Sequence, residues 1–563
     1  MIDAAVPSTF VGRRRLLRTA AAVTSGGLLA GFGVTAAAPA FAATAADCNS
    51  GNTVDASTDD AADIQTLLDA DTAIVCLSGT FPITSTLTFD HDLTLFGLDA
   101  ARLDGGSASQ ILVGSGAAPL TVQNLTFANG RAVEGGAILV QGDLTIENSA
   151  FVGNQSLEDG GAVYVRDNLE TPDVFVSGST FTNNSTGPAV DDVDGYSGGA
   201  IFVENFDFFD SLIEITGSTF TGNSASAFGG AVFAYGADID TTTFDNNTAL
   251  AGGALYSAVT VTAESTFSDN SAEFGGAVWA LVYGVTFGST FVANEANFAG
   301  GAIGTGLGGI EGGFGYGAVI SANSTFVDNT AGEVGGAIFA DYGQVLLSTF
   351  LENRAGTVEA TEHSEAIFVT GNDDSLFVGG NIFAGSRTNA QIGQAEDGVV
   401  DDLGGNVFST AESAEVTLDP ADDSTQFSRS IADIFGADPQ LRDNGGETET
   451  VALIGTSPAI NAVPELVFGP TSANLTEVLS EFTAATEFTA AVDSVDVDQR
   501  NVERVGLADA GAYEYGEPEL GSELADTGVD AAASSWLAGL AALLLGAGAA
   551  FAIGTRRLSR DAR

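Results

Sequence analysis

Two short phrases alternate along this chain at a spacing that few folds accept. Phe-x-x-Asn stands at Phe151/Asn154, Phe181/Asn184, Phe220/Asn223, Phe244/Asn247, Phe267/Asn270, Phe291/Asn294, Phe326/Asn329 and Phe350/Asn353. Gly-Gly-Ala-aliphatic follows each of the first seven, from Gly160-Gly161-Ala162-Val163 to Gly335-Gly336-Ala337-Ile338. Where no insertion intervenes, at Phe220, Phe244, Phe267 and Phe291, the period is about 24 residues, a length that belongs to solenoids, propellers or arrays.

The residues within one period choose among these. Runs such as Ser-Thr-Phe and Ala-Val-Phe-Ala are short, β-branched or aromatic, and separated by Gly, Asn and Ser, which predicts short strands joined by tight turns. No apolar 3.6 period is long enough for a helix, so helical repeats are excluded, and a propeller blade needs about 40 residues. The period fits one coil of a single-stranded parallel β-helix. Coils stack at roughly 4.8 Å, so equivalent side chains form ladders. The repeated Phe then becomes an internal aromatic stack. The repeated Asn is expected in a left-handed turn position, bonded to the turns above and below. Gly-Gly supplies the positive φ of the opposite corner, and the small Ala lets the wall approach closely. At one coil per period, residues 80–410 make a rod of roughly 13 or 14 turns, on the order of 65 Å long.

The paired Phe-x-x-Asn and Gly-Gly-Ala-Ile phrases resemble the repeats of chlamydial polymorphic outer membrane proteins over residues 120–355. The resemblance implies an all-β, right-handed parallel β-helix of the pectin-lyase-like kind. It implies fold more strongly than function, because that architecture carries adhesins, lyases and hydrolases alike.

The remaining segments read as export, caps and anchor. Arg13-Arg14-Arg15-Leu16-Leu17-Arg18 precedes a small-residue apolar stretch and Ala40-Phe41-Ala42, the pattern of a signal peptide over 1–42. Its arginine pair resembles a twin-arginine signal, with Gly12 in place of the usual Ser or Thr, and a Sec signal is the other reading. Residues 43–79 form an N-terminal cap. Cys48 and Cys76 are the only cysteines, and in an exported chain that pair predicts one disulfide. Between them a short helix, Asp59 to Asp69, is expected behind a Ser57 or Thr58 cap, with Ile64, Leu67 and Leu68 on its apolar face. It would cover the open first coil, whose strand edges need protection.

Beyond Asn353 the repeat decays, with Ser364-Glu365-Ala366-Ile367 where Gly-Gly-Ala-Ile would stand. Residues 411–515 contain Ala437-Asp438-Pro439, Asn444-Gly445-Gly446, Asp498-Gln499-Arg500 and Asp509-Ala510-Gly511-Ala512-Tyr513-Glu514 in that order. Together they resemble the choice-of-anchor Q domain of surface β-helix proteins, and Asp438, Asp498, Arg500 and Glu514 read as an ion-pair network closing the module, with an active site as the other reading. After a linker, 516–523, residues 524–563 form a sorting signal: Leu524-Ala525-Asp526-Thr527-Gly528, an apolar run over 531–553 long enough to span a bilayer, and Arg556-Arg557. The pentapeptide resembles the Leu-Ala-x-Thr-Gly sortase motif. That resemblance implies cleavage after Thr527 by a sortase and covalent attachment to the peptidoglycan of a Gram-positive cell wall, a permanent single-span anchor being the other reading; the Ala-rich, Lys-free composition points to an actinobacterium.

The net charge is −57 and the chain has no Lys. Nucleic acid is excluded as a partner, because its affinity comes largely from neutralising phosphates, and Lys-based pilus crosslinks are excluded too, leaving a monomeric display. A cofactor is not required, although clustered carboxylates can bind Ca²⁺, and Asp191, Asp192 and Asp194 are the candidates. Two function classes remain. The first is a non-catalytic, wall-anchored adhesin or ligand-display stalk that contacts a glycan or a host or neighbour-cell surface. The second is a polysaccharide lyase or glycoside hydrolase working in the β-helix groove. A lyase needs a base and a cationic group, yet no Arg, Lys or His lies between Arg166 and Arg354. A glycosidase needs only two carboxylates, and Glu204, Asp207 and Asp210, interleaved with aromatics, are the candidates.

Overall fold

The computed structural model describes residues 43–166, 172–189, 195–204, 212–306, 317–356, 364–370, 375–385, 390–395, 399–409, 424–463, 498–500, 504 and 508–515. Most of their strands join into one large parallel sheet that winds as a β-helix, beside two small parallel sheets and the antiparallel pair Leu441–Arg442 and Thr450–Val451. Each coil contributes three strands, as in Gly236–Asp240, Thr243–Asp245 and the first part of Leu255–Ala263. Each strand pairs with its equivalents one coil below and above: Phe244 lies between Phe220 and Phe267, and Val232 between Ile201 and Leu255.

The Phe ladder runs further than the repeat phrase does. Phe151, Phe181, Phe220, Phe244, Phe267, Phe291, Phe326 and Phe350 are fully buried, and neighbouring rings are nearly parallel with centroids 4.6 Å to 5.0 Å apart. Phe127 extends the stack below, and Phe383, Phe408 and Phe427 extend it above. The register places these rings on one another where the phrase has already decayed.

The Asn ladder is buried as well, with a geometry that corrects one expectation. Asn247 Oδ1 accepts from the backbone N–H of Asn223 at 2.9 Å and from its Nδ2 at 3.0 Å, while Asn247 Nδ2 donates to the Phe220 carbonyl. The left-handed residue is the one before the ladder Asn: Gly222, Asn246, Asp269, Ala293 and Asp328 have φ of 52° to 66°. That residue turns the chain outward, which aims the following Asn side chain into the corner where its amide replaces missing backbone partners. At the opposite corner the two glycines divide the work. Gly252 has φ 62°, whereas a Cβ on Gly253 would collide with the Gly276 carbonyl of the next coil. A second polar ladder lies two residues before each Phe, where Ser179 Oγ, Ser218 Oγ, Thr242 Oγ1 and Ser265 Oγ each accept from the backbone N–H one coil below.

Both ends are closed. Helix Ala61–Leu68 caps the N-terminal coil with Ile64 and Leu68 buried and Leu67 half-buried. Its N-cap is Asp60 rather than Ser57 or Thr58: Asp60 accepts from Ala62 N–H, and Asp63 reaches back to Asp60 N–H at 2.9 Å. Carboxylates in that turn also complement the helix dipole. Gln65 completes the cap, because its amide accepts from Thr88 N–H and donates to the Thr88 carbonyl, both at 2.9 Å, standing in for a missing strand on the edge Leu87–Phe89. Cys48 and Cys76 are joined in a disulfide. At the other end the chain turns back after Phe427 and packs Ile434, Phe435, Val451, Leu453 and Ala510 against Val327, Leu347, Leu351 and Ile382 on the outside of the solenoid. Among the described residues no helix is long and apolar enough to cross a membrane. The apolar run 531–553 and Leu524, Ala525, Asp526, Thr527 and Gly528 lie outside the described residues.

Candidate functional site

Side chains that leave the wall outward carry any surface chemistry, and alternation along each strand decides which they are. In Val163–Val165 and Ile201–Val203, the valines and Ile201 enter the core while Tyr164 and Phe202 face out. Register then stacks an outer aromatic ladder, Tyr164 on Phe202 at 5.1 Å, Phe202 on Phe233 at 4.8 Å and Phe233 on Tyr256 at 5.4 Å. Trp279 continues the row, and Phe228 and Phe274 from the neighbouring corner cover it. The sequence signal for this row is the aromatic that immediately follows six of the seven Gly-Gly-Ala-aliphatic phrases, Gly304 standing in its place after Ile303.

Glu204 lies at the lower end of this ladder, directly after strand Ile201–Val203. Its Oε2 accepts from the Tyr164 hydroxyl at 2.9 Å. Arg166 places its guanidinium over the Tyr164 ring, 5.5 Å from the centroid, and is paired with Glu134. Burial, and then the neighbouring carboxylate of Glu204, push the Tyr164 hydroxyl far above its ordinary value. Tyr164 is therefore a hydrogen-bond donor here and a poor base. Asp207 and Asp210 lie outside the described residues, as do Asp191, Asp192 and Asp194. Among the described residues, one carboxylate and imidazole group has ligand-like spacing: Asp71, Asp90 and His91. His91 Nδ1 is 3.6 Å and 3.8 Å from its two carboxylates, both highly exposed, and the sequence reading had assigned His91 no role.

The densest charged cluster belongs to the returning C-terminal segment. Asp498 accepts from Arg500 Nε at 2.7 Å, from Arg500 N–H at 2.8 Å and from Glu514 N–H at 2.9 Å. Arg504 donates to Glu514 Oε2 at 3.1 Å, to the Asp509 and Gly511 carbonyls, and across to Asn323 of the β-helix at 2.8 Å. Asp509 holds the backbone N–H groups of Asn461 and Tyr515, each at 2.6 Å, and Arg500 also stacks on Tyr513 at 3.7 Å. Burial raises the carboxyls of Asp509 and Glu514 and lowers the Arg504 guanidinium, against the pull of Glu514 and Asp498. Asp438 stands apart, exposed and bonded to Gln440, so it is not a member. Arg504 and Asp509 are members that sequence reasoning did not select; in a chain without Lys, a second Arg four residues after Arg500 was the available signal. Gln499 ties the same segment to the solenoid through Thr290 and Thr325. Every one of these side chains is engaged within the chain, and the arrangement is a clasp.

The Chlamydia polymorphic membrane protein repeat matches residues 178–204, 217–235, 241–258 and 323–341. Among solved structures, a PL6 alginate lyase in complex with a trisaccharide is similar at 13% identity and a TM-score of 0.36, covering 73% of this chain and 93% of the lyase. PfbA, a surface adhesin of Streptococcus pneumoniae, is similar at 11% identity and a TM-score of 0.30, covering 70% of this chain and 95% of the adhesin. No curated protein matches. The chain is a parallel β-helix in which four stretches match the chlamydial polymorphic membrane protein repeat.

Proposed function

We propose that this protein is a non-catalytic extracellular rod, held at the cell surface, whose wall displays a ligand-contacting surface. The observation that carries the reading is the engagement of the charged side chains best placed for chemistry. The Asp498, Arg500, Arg504, Asp509 and Glu514 cluster is saturated by its own chain, and Arg166 is neutralised by Glu134. The Phe and Asn ladders supply the length and stiffness that a display stalk needs, and the disulfide fits an oxidising exterior. A surface location is also that of the adhesin among the similar structures.

The sorting motif, by its resemblance, supports attachment of Thr527 to peptidoglycan by a sortase, with 531–553 holding the precursor in the membrane. A glycan or a host or neighbour-cell surface is the proposed ligand, with Ca²⁺ at Asp191, Asp192 and Asp194 as its bridge to polyanions. Glu204 beside Tyr164 favours one second reading, cleavage of a glycan by a carboxylate pair completed by Asp207 or Asp210. One experiment separates the two. Purified protein is incubated with bacterial, plant and host glycans, with and without Ca²⁺, and retention and chain length are scored by mass spectrometry. Retention of intact chains is expected. Shortened or unsaturated products would overturn the reading and make Glu204→Gln the next variant.

A further inference from the structure

The inward-facing columns of the solenoid are aliphatic for most of their length. One runs Leu144, Val174, Ile213, Ala237, and its neighbour runs Ile146, Val176, Ile215, Ile239. Then both change character: the first continues as Thr260 and Gly284 before Val319, and the second as Thr262, Thr286 and Ser321 before Val345 and Val378 restore its aliphatic surface. On the facing strands the same coils carry Ser257, Ala280 and Thr305 in one register. Ser257, Thr260, Thr286 and Thr305 are at most 1% exposed, and among the described residues none of their hydroxyls has a hydrogen-bond partner.

We propose that these coils hold an internal water site, a short string of ordered water molecules bound by the hydroxyls of Ser257, Thr260, Thr286 and Thr305. Three observations converge on it. The backbone of a parallel ladder spends its N–H and C=O groups between strands, so few protein acceptors remain for four inward hydroxyls. Thr262 reaches a carbonyl, that of Val285 at 3.3 Å. Ser257, Ala280, Gly284 and Ser321 carry less side-chain volume than the Ile and Val elsewhere in these columns, while the threonines keep the volume of a valine and add a hydroxyl, and a polar site with several donors and acceptors is where buried water is retained. Gly284 has no positive φ and faces Thr305 and Ala280, so its lack of a side chain serves space rather than backbone conformation.

Thr260→Val and Thr286→Val keep the shape of the side chain and delete the hydroxyl. If water bridges these groups, each variant melts at a lower temperature than the parent, while Thr260→Ser, which keeps the oxygen, stays closer to it. A crystal structure of the parent at about 1.2 Å resolution would show isolated oxygen density at hydrogen-bond distance, roughly 2.6–3.2 Å, from at least two of the four hydroxyls. Unchanged or raised melting temperatures would overturn the proposal, as would a dry interior or density showing residues 307–316 occupying these positions. Should a valine variant fail to fold, the parent density alone decides.

Discussion

Asn247 shows how much a single ladder position carries. Its side chain satisfies the Asn223 backbone N–H, the Asn223 amide and the Phe220 carbonyl, all in a fully buried corner. Asn247→Ala strands these groups at once, and denaturant unfolding is expected to show a loss of about 2–4 kcal/mol. Asp240 is a different case. It ends strand Gly236–Asp240, and burial, then Glu264, Glu447 and Glu214, raise its carboxyl to about 6 from an ordinary 3.8. A folded-state value above the unfolded one means that the native state holds the proton more tightly. The charged form therefore costs stability at pH 7, and that cost disappears as the pH falls through about 6 towards 3.8. Asp240→Asn should raise stability by about 1–2 kcal/mol at pH 7, after discounting for solvent screening. The difference from the parent should vanish near pH 4, and thermal melts of the pair across that range check it.

At the scale of elements, the clasp is what holds the returning segment on the solenoid. Its apolar contacts are Ile434, Phe435 and Val451 against Val327, Leu347 and Leu351, and its polar contacts include Gln499 with Thr290 and Thr325 and Arg504, buried beside Glu514, with Asn323. Arg504→Met removes one partner from a desolvated network and leaves the carboxylates uncompensated, a loss of about 3–5 kcal/mol. The expected result is selective: limited proteolysis cuts the segment 424–515 first, while the coils 212–306, whose ladders are untouched, stay protected. Simultaneous cleavage of both regions would show that the segment is part of the solenoid's own cooperative unit.

Across the whole molecule, stability accumulates coil by coil, so the ends decide where unfolding begins. The N-terminal end depends on helix Ala61–Leu68, on the Gln65 pairing with Thr88 and on the Cys48–Cys76 link, 28 residues apart. Chain-entropy arguments give such a link roughly 3–4 kcal/mol. Replacing both cysteines by Ser should lower hydrogen-exchange protection in strands Ile74–Pro82 and Leu93–Asp104 well before it changes Thr243–Asp245. Equal loss along the rod would refute unfolding from the ends.

The repeat period and the residue types inside it determined the coil, the Phe stack and the Gly-Gly corner, because those features need only local periodicity and the identity of ladder residues. Asn247 and its equivalents were legible as ladder residues, but their backbone conformation was not, since the positive φ belongs to the variable residue before each of them. Asp498 and Arg500 could be read as an ion pair from their neighbourhood in sequence. That Arg504 and Asp509 join them, that Asp438 does not, and that the cluster clasps Asn323, Thr290 and Thr325 were decided by the tertiary structure. A chain reversal brings those groups together across some 180 residues, and no local spacing records it. Glu204 likewise met Tyr164 only through the coil-to-coil register, which insertions of different length between repeats hide from the sequence.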